Sequence, residues 1–370
     1  MTLMLPLPTE NAERVAHCAT SDTPRPLRVA LAGRLTAMTA PGGGEVQLLQ
    51  TARSLQAFGV AARMWRPWED SLADFDGVHL FGSAAEHLQT LHAAQALGKP
   101  VALSTIAWFD LPSVWRDAPH WPAAVFRGSK FLLRSLCPEV PSWRKKLYQA
   151  VDLLLPNSQA EAEQLKRYFK IPASRIHVIP NGAEVRFAHP RQGEMAELLP
   201  SVPYVLYVGR IEPRKNQLTF LQAMRGSRVP VVVAGGVVPG QEAYAEKCRQ
   251  AADEWVTFLG PVKHDSPQME SLYAGCGALV LCSWFETPGL VALEAGMSGV
   301  PLVLPQGGAA REYFGDWAEY VGPKNLAAIR QAVFRAMDKG RRPELAEYVQ
   351  RNFSWQVAAQ CTKGAYERIF

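Results

Sequence analysis

What this chain lacks narrows it first. Six cysteines are spread over 370 residues, at Cys18, Cys137, Cys248, Cys276, Cys282 and Cys361, with no C-x-x-C pair among them. That scatter argues against a zinc ribbon, a disulfide scaffold or a redox dithiol. It reads instead as reduced thiols, with Cys276 and Cys282 in or beside a buried strand. Long apolar runs are also missing. The longest nearly apolar stretch, Val229 to Gly240, is interrupted by proline and glycine and is too short to cross a bilayer. Residues 1–26 have neither the basic start nor the sustained apolar core of a secretion signal, so a loose tail is expected there and the cytoplasm is the default compartment. Charge of one sign is scarce, and a net +5 does not imply nucleic-acid binding. The chain has no internal repeat of fixed period, no low-complexity tract and no G-x-G-x-x-G dinucleotide fingerprint.

What is present is an ordinary globular composition, 48% hydrophobic and 20% charged, in a chain long enough for two domains. Short apolar runs alternate with helical patterns from residue 27 onward. In the first half, residues 28–32, 60–65, 77–81, 100–104, 152–156 and 176–180 read as buried strands. The segment Pro180 to Pro203, with Asn181-Gly182 and Pro190, reads as a linker. A second series follows, with strands at 204–209, 229–234, 255–259 and 277–282. Such alternation predicts parallel sheets with helices on both faces. The expected organisation is an α/β chain of two doubly wound, Rossmann-like domains, 27–190 and 198–346. A last helix over 354–370 is expected to be capped by Ser354.

Three segments carry chemistry. Ser283 to Pro301 holds two carboxylates, Glu286 and Glu294, separated by seven residues around a helix that starts after Pro288-Gly289. A strand–turn–helix of this kind turns backbone N–H groups and the positive end of the helix dipole toward an anion. Carboxylates on either side suit hydroxyls, since a charged acceptor makes strong hydrogen bonds. The second segment, Tyr207 to Gln217, places Arg210 and Lys215 at a strand end before a helix capped by Asn216, where open α/β sheets bind ligands. Two fixed cations there suit a diphosphate. The third is Gly42-Gly43-Gly44, whose glycines let backbone approach a ligand closely.

Other features read as bland. Asp74-Phe-Asp76 formally matches a D-x-D metal motif but lies far in sequence from the segments at 207–217 and 283–301. His87 and His92 have no ligand partners at metal spacing and are expected at the surface. Trp65 and Trp68 read as core or rim packing, with stacking on the apolar face of a sugar as the sharper reading. Arg127, Lys130, Arg134, Arg144, Lys145 and Lys146 form a basic cluster in 127–146. It reads as a solvated helical face or, more sharply, as a peripheral contact with an anionic membrane.

In their order, Gly42-Gly-Gly-Glu45, Pro180-Asn181-Gly182, Gly209-Arg210 with Lys215, and Glu286-x7-Glu294 resemble the family 4 (group 1) glycosyltransferases, from about residue 28 to the C-terminus. The resemblance implies a GT-B fold, two Rossmann-like domains facing across a cleft. It also implies retaining transfer from a nucleotide-diphosphate sugar to a saccharide or lipid-linked acceptor, with no metal, no other cofactor and no nucleic acid. In those terms Arg210 and Lys215 neutralise the departing diphosphate, Glu294 holds the ribose hydroxyls and Glu286 contacts the transferred sugar. The amides at Gly289, Leu290 and Val291 meet sugar or phosphate, Gly42, Gly43 and Gly44 lie over the diphosphate, and the final helix crosses back to the N-terminal domain. The family often has Gly where Asn216 stands. Many members also carry a His after the strand that here is Val101 to Ser104, where this chain has none. His79, on the preceding strand, is the candidate to stand in for it. The absence leaves a non-catalytic nucleotide-sugar-binding scaffold as an alternative; a GT-B sugar-nucleotide epimerase or phosphorylase is a rival that Arg210, Lys215 and both glutamates suit less well than simple transfer, and a nicotinamide-dependent dehydrogenase is a further alternative.

Overall fold

A computed structural model describes residues 25–35, 42–109, 121–122, 125–126, 128–129, 142–191, 193–195, 197–287 and 289–370. Nearly all of the expected tail, Cys18, Cys137, Pro288 and the basic residues Arg127, Lys130 and Arg134 lie outside the described residues.

The apolar runs of the first half form β1 (Leu27–Ala32), β2 (Val60–Met64), β3 (Gly77–Phe81), β4 (Val101–Ser104) and β5 (Leu153–Leu154). They make one parallel sheet in the order β2-β1-β3-β4-β5. Every residue of β3 and β4 is buried, as an unbroken apolar run requires when helices cover both faces. The second half gives β6 (Tyr204–Val208), β7 (Val231–Ala234), β8 (Val256–Gly260), β9 (Cys276–Val280), β10 (Leu302–Pro305) and β11 (Ala318–Val321). Their order is β11-β10-β9-β6-β7-β8, again parallel. One core fills the second unit, and separate cores cover the two faces of the first sheet.

Residues 176–180 correct the sequence reading, because they form no strand. Ile176 makes a single bridge to Leu154. The amides of His177 and Ile179 donate to Leu154 O and Pro156 O at 2.9 Å each. Pro156 has no N–H to return a bond, so the ladder stops there.

The end of the chain returns to the first sheet. Ala183 N–H donates to Phe353 O at 2.8 Å, and a Cβ on Gly182 would stand 2.5 Å from the Ser354 carbonyl carbon. Ser354 then caps the helix Trp355–Tyr366 through Val357 N–H. That helix packs with the helix Gly43–Gln56 in the core that holds Val29 and Leu31. The Phe370 ring lies flat enough on Gly77 that a Cβ there would meet it at 2.2 Å.

Candidate active site

The carboxyl ends of strands from both sheets converge on one cavity of about 730 Å³. Gly33 and Arg34 follow β1, Gly82 follows β3, and Ile106 and Trp108 follow β4 on one wall. Gly209, Arg210 and Lys215 after β6, with Phe285, Glu286, Thr287, Gly289, Leu290 and Val291 after β9, make the other. Ligand crevices at strand carboxyl ends are the rule for open α/β sheets. Four cations, Arg34, Arg210, Arg214 and Lys215, line the cavity against two carboxylates, Glu45 and Glu286, so the lining favours an anion. Of the eleven residues expected to form the site, nine line this cavity. Glu294 and His79 do not.

Lys215 and Glu286 form its centre. Lys215 Nζ stands 2.6 Å from Glu286 Oε1, and Ser283 Oγ donates to the same oxygen at 2.5 Å. Burial works against charge on both groups. For Glu286, Lys215 and Arg214 outweigh burial and hold the carboxyl below its ordinary range. For Lys215, burial wins over Glu286 and lowers the ammonium's pKa. A buried pair of this kind keeps both side chains fixed in place on the cavity wall.

Two loops hold the pair in place. Asn216 occupies the N-cap position of the helix Gln217–Met224, as the sequence reading has it, but its side chain accepts from no backbone N–H of the first turn. Its φ is +62°, its Nδ2 donates to Cys282 O at 3.0 Å and Pro323 O at 2.7 Å, and its Oδ1 accepts from Thr219 Oγ1 at 2.7 Å. Asparagine tolerates this left-handed backbone, and glycine adopts it freely, so either residue serves there. Behind Glu286 runs Gly307-Gly308. Glu286 N–H donates to Gly307 O at 3.2 Å, and Ala309 N–H donates to Glu286 O at 2.8 Å. A Cβ on Gly308, whose φ is +96°, would lie 2.1 Å from Glu286 O.

The helix Leu290–Met297 opens after Gly289 (φ +89°), with Gly289, Leu290 and Val291 on the cavity surface. Its first amides have no partner within the helix, so they are available to an anion or hydroxyl. One turn further in, Glu294 is 2% exposed. His264 Nε2 lies 2.7 Å from its Oε1, and Tyr273 OH donates to Oε2 at 2.7 Å. Burial lowers the His264 pKa, but Glu294 and Glu184 outweigh it and raise the imidazole. Sequence reasoning missed His264, which lies 30 residues from its partner.

On the facing wall, Gly42 N–H donates to Glu45 Oε2 at 2.8 Å, which closes the start of the glycine-rich helix. Arg210 lies beside Gly42, and Leu290 beside Gly43, so the glycine loop meets the second domain at close range. Trp108 stacks on Phe285 across the cleft, with ring centroids 6.1 Å apart. Neither aromatic was foreseen as a site residue. Arg34 and Arg214 were missed as well, although a cation just past a strand end, or beside Lys215, was a readable signal.

His79 is a correction. It is buried, with Nδ1 2.7 Å from Tyr366 OH and Nε2 2.9 Å from Ser104 Oγ, and burial pushes its pKa down to about 3. It is neutral near pH 7 and ties the last helix to the first sheet, behind the cavity wall. His87 is a second correction, being buried with Nε2 3.1 Å from Phe81 O rather than at the surface. Trp68 is 93% exposed and Trp65 Nε1 donates to Asp70 O, and neither lines the cavity. Asp76 is occupied by Arg25 and Arg28. Lys145 is buried and Arg144 lies over Trp143, which leaves Lys146 as the exposed cation among the described members of the basic cluster. Among the described residues, Cys248, Cys276 and Cys282 are buried free thiols, and no helix is long and apolar enough to cross a membrane.

Residues 40–187 match the family model Glycosyltransferase Family 4, and residues 196–353 match Glycosyl transferases group 1. The chain is similar to O-antigen chain mannosyltransferase B of Escherichia coli, 27% identical over 261 residues, covering 63% of this chain and 67% of that one. It is similar to D-inositol 3-phosphate glycosyltransferase of a Nocardioides species, 27% identical over 252 residues, covering 60% and 55%. The match thus spans about half to two thirds of the length of these curated relatives. In fold it is similar to sucrose-phosphate synthase of Thermosynechococcus elongatus, with a TM-score of 0.71, 20% identity, and 93% and 99% of the two chains covered. It also matches the Anabaena protein HepE in complex with UDP and glucose, with a TM-score of 0.64, 16% identity, and 92% and 99% covered. With both sheets matched by family models and the two-sheet architecture shared with these structures, the chain belongs to the group 1, family 4 type glycosyltransferases and has the GT-B fold.

Proposed function

We propose that this protein transfers a sugar from a nucleotide-diphosphate sugar to a hydroxyl acceptor with retention of configuration and without a metal. The observation that carries the reading is the Lys215–Glu286 pair, set between Arg210 and the open amides of Gly289 to Val291 on one wall of an interdomain cleft. The diphosphate lies against Arg210 and Lys215, with the Gly42–Gly44 loop over it. Glu286 and the helix amides face the sugar, and Glu294 takes the ribose hydroxyls on exchanging its His264 contact. The bond from the sugar's anomeric carbon to the diphosphate oxygen breaks, and the diphosphate leaves with the electron pair. The acceptor oxygen bonds to the anomeric carbon on the same face, and its proton passes to the leaving oxygen. That route fits a cavity with no histidine among its described lining residues. Fixed cations stabilise the charge on the leaving group, the interaction that strengthens most in the transition state.

UDP in a complex of the Anabaena neighbour supports a nucleotide-linked donor. Incubating the protein with UDP-, GDP- and ADP-linked hexoses, while following nucleoside diphosphate release and the anomeric NMR signal of the product, tests the reading. Release with a product of the donor's configuration is expected, and an inverted product would rule out retention. Binding without any release would favour the non-catalytic scaffold, and interconversion of the bound sugar would favour the epimerase. Peripheral contact of 127–146 with an anionic membrane is a separate proposal, supported by exposed Lys146 and by Trp121, which is 75% exposed. Co-sedimentation with vesicles containing anionic lipid, and none with neutral vesicles, is its expected result.

A further inference from the structure

Glu161 stands on the first turn of the helix Gln159–Phe169, fully buried and outside the cavity lining. Its Oε1 accepts from Thr105 Oγ1 at 2.5 Å and Ala107 N–H at 2.7 Å, and its Oε2 accepts from Asn157 N–H at 3.0 Å. One turn along the same helix, Gln164 Oε1 accepts from Phe109 N–H at 2.8 Å. The residues between these anchors face the cleft. Ile106 has φ +45°, a backbone that β-branched side chains avoid and that persists only when its surroundings impose it. It lies on the cavity surface beside Gly44, and Trp108 lies there stacked on Phe285. Three donors on two oxygens suit a carboxylate and no amide or hydroxyl, since an amide has one acceptor end. Burial pushes Glu161 up to about 7 against these three donors, so its charge is costly to keep and the loop is what it serves.

We propose that Glu161 is a positioning residue for the acceptor side of the reaction, holding residues 105–109 in the strained shape that builds the wall facing the donor. The assignment rests on the glycosyl-transfer reading above. It puts control of acceptor capture in a carboxylate behind the wall, at the loop where the sequence has no histidine.

The test uses the full chain labelled with 5-fluorotryptophan, with the Trp108 signal identified by Trp108→Phe. In folded Glu161→Gln, the Trp108 resonance is expected to shift or broaden while those of Trp284 and Trp317 stay in place. The kinetic arm compares transfer from UDP-glucose or GDP-mannose to mannose and myo-inositol with hydrolysis of the same donor. The transfer-to-hydrolysis ratio is expected to fall about tenfold, the scale of one lost charge-assisted hydrogen bond. A role in stability alone would lower both rates together. An unmoved Trp108 signal, or an unmoved ratio, overturns the proposal. Thr105→Val removes one donor at nearly constant shape and carries both readouts if Glu161→Gln does not fold. If the wild type neither transfers nor hydrolyses, the glycosyl-transfer reading fails by itself, and the Trp108 signal still decides whether Glu161 shapes the wall.

Discussion

Charge at buried positions sets the chemistry of single residues here. Glu286 is 5% exposed and keeps its charge because Lys215, Arg214 and Ser283 surround it. Glu286→Gln would leave Lys215 buried without its anion and is expected to lower turnover by about 10²–10³, the scale of one lost transition-state contact, together with a lower Tm from the unpaired buried charge. Rates of nucleoside diphosphate release check this. Glu270 plays a structural part. Hydrogen bonds from Arg191 lead, with Arg186 helping and burial opposing, to hold its carboxyl at about 2 against an ordinary 4.5. A depressed carboxyl stabilises the fold above its ordinary value, and that stability is lost as pH falls toward about 2. Glu270→Gln is therefore expected to lower Tm near neutral pH. Its gap to wild type should narrow as the pH drops below about 4.5. Residues in one local stretch, such as Arg210 with Lys215, were legible because chemistry and spacing sit together. Glu161 was not, because its partner Thr105 is 56 residues away and nothing local marks a buried carboxylate.

Loops and helix starts are where the elements do their work. The turn after β9 is braced by the turn after β10, through Gly307 and Gly308. Gly308→Ala adds a methyl 2.1 Å from Glu286 O at a φ of +96°. The backbone strain alone costs about 1–3 kcal/mol, and the Glu286 loop must move. A lower Tm with a loss of turnover larger than the loss of stability is expected, and thermal unfolding beside the release assay measures both. Buried strands were readable from their apolar runs. The misread 176–180 segment shows the limit, since a run of the right composition still needs a partner with free backbone groups. Asn216 shows another: its place at a helix start was legible, whereas its left-handed φ and the bonds its Nδ2 makes to Cys282 O and Pro323 O depend on residues far along the chain.

Across the whole molecule, two parallel sheets meet at their strand ends, and the last helix belongs in packing to the first of them. Trp355 is 4% exposed in the core that includes Val29 and Leu31. Trp355→Ala is expected to cost about 3–5 kcal/mol, with faster amide exchange in β1 and β3 and little change in β6 and β9. The two-domain plan was legible from the alternation of strands and helices. How the walls face each other was not, because contacts such as Trp108 on Phe285 join residues that no local pattern connects. Central to the proposed reaction is a diphosphate held by the cations of the second domain. Calorimetric titration of UDP- and GDP-linked hexoses into the wild type and Lys215→Ala measures this. The predicted result is binding of at least one nucleotide sugar that weakens about tenfold or more in the variant, the scale of one lost charge-assisted contact. Equal affinity in the two proteins, or no binding by the wild type, would contradict it.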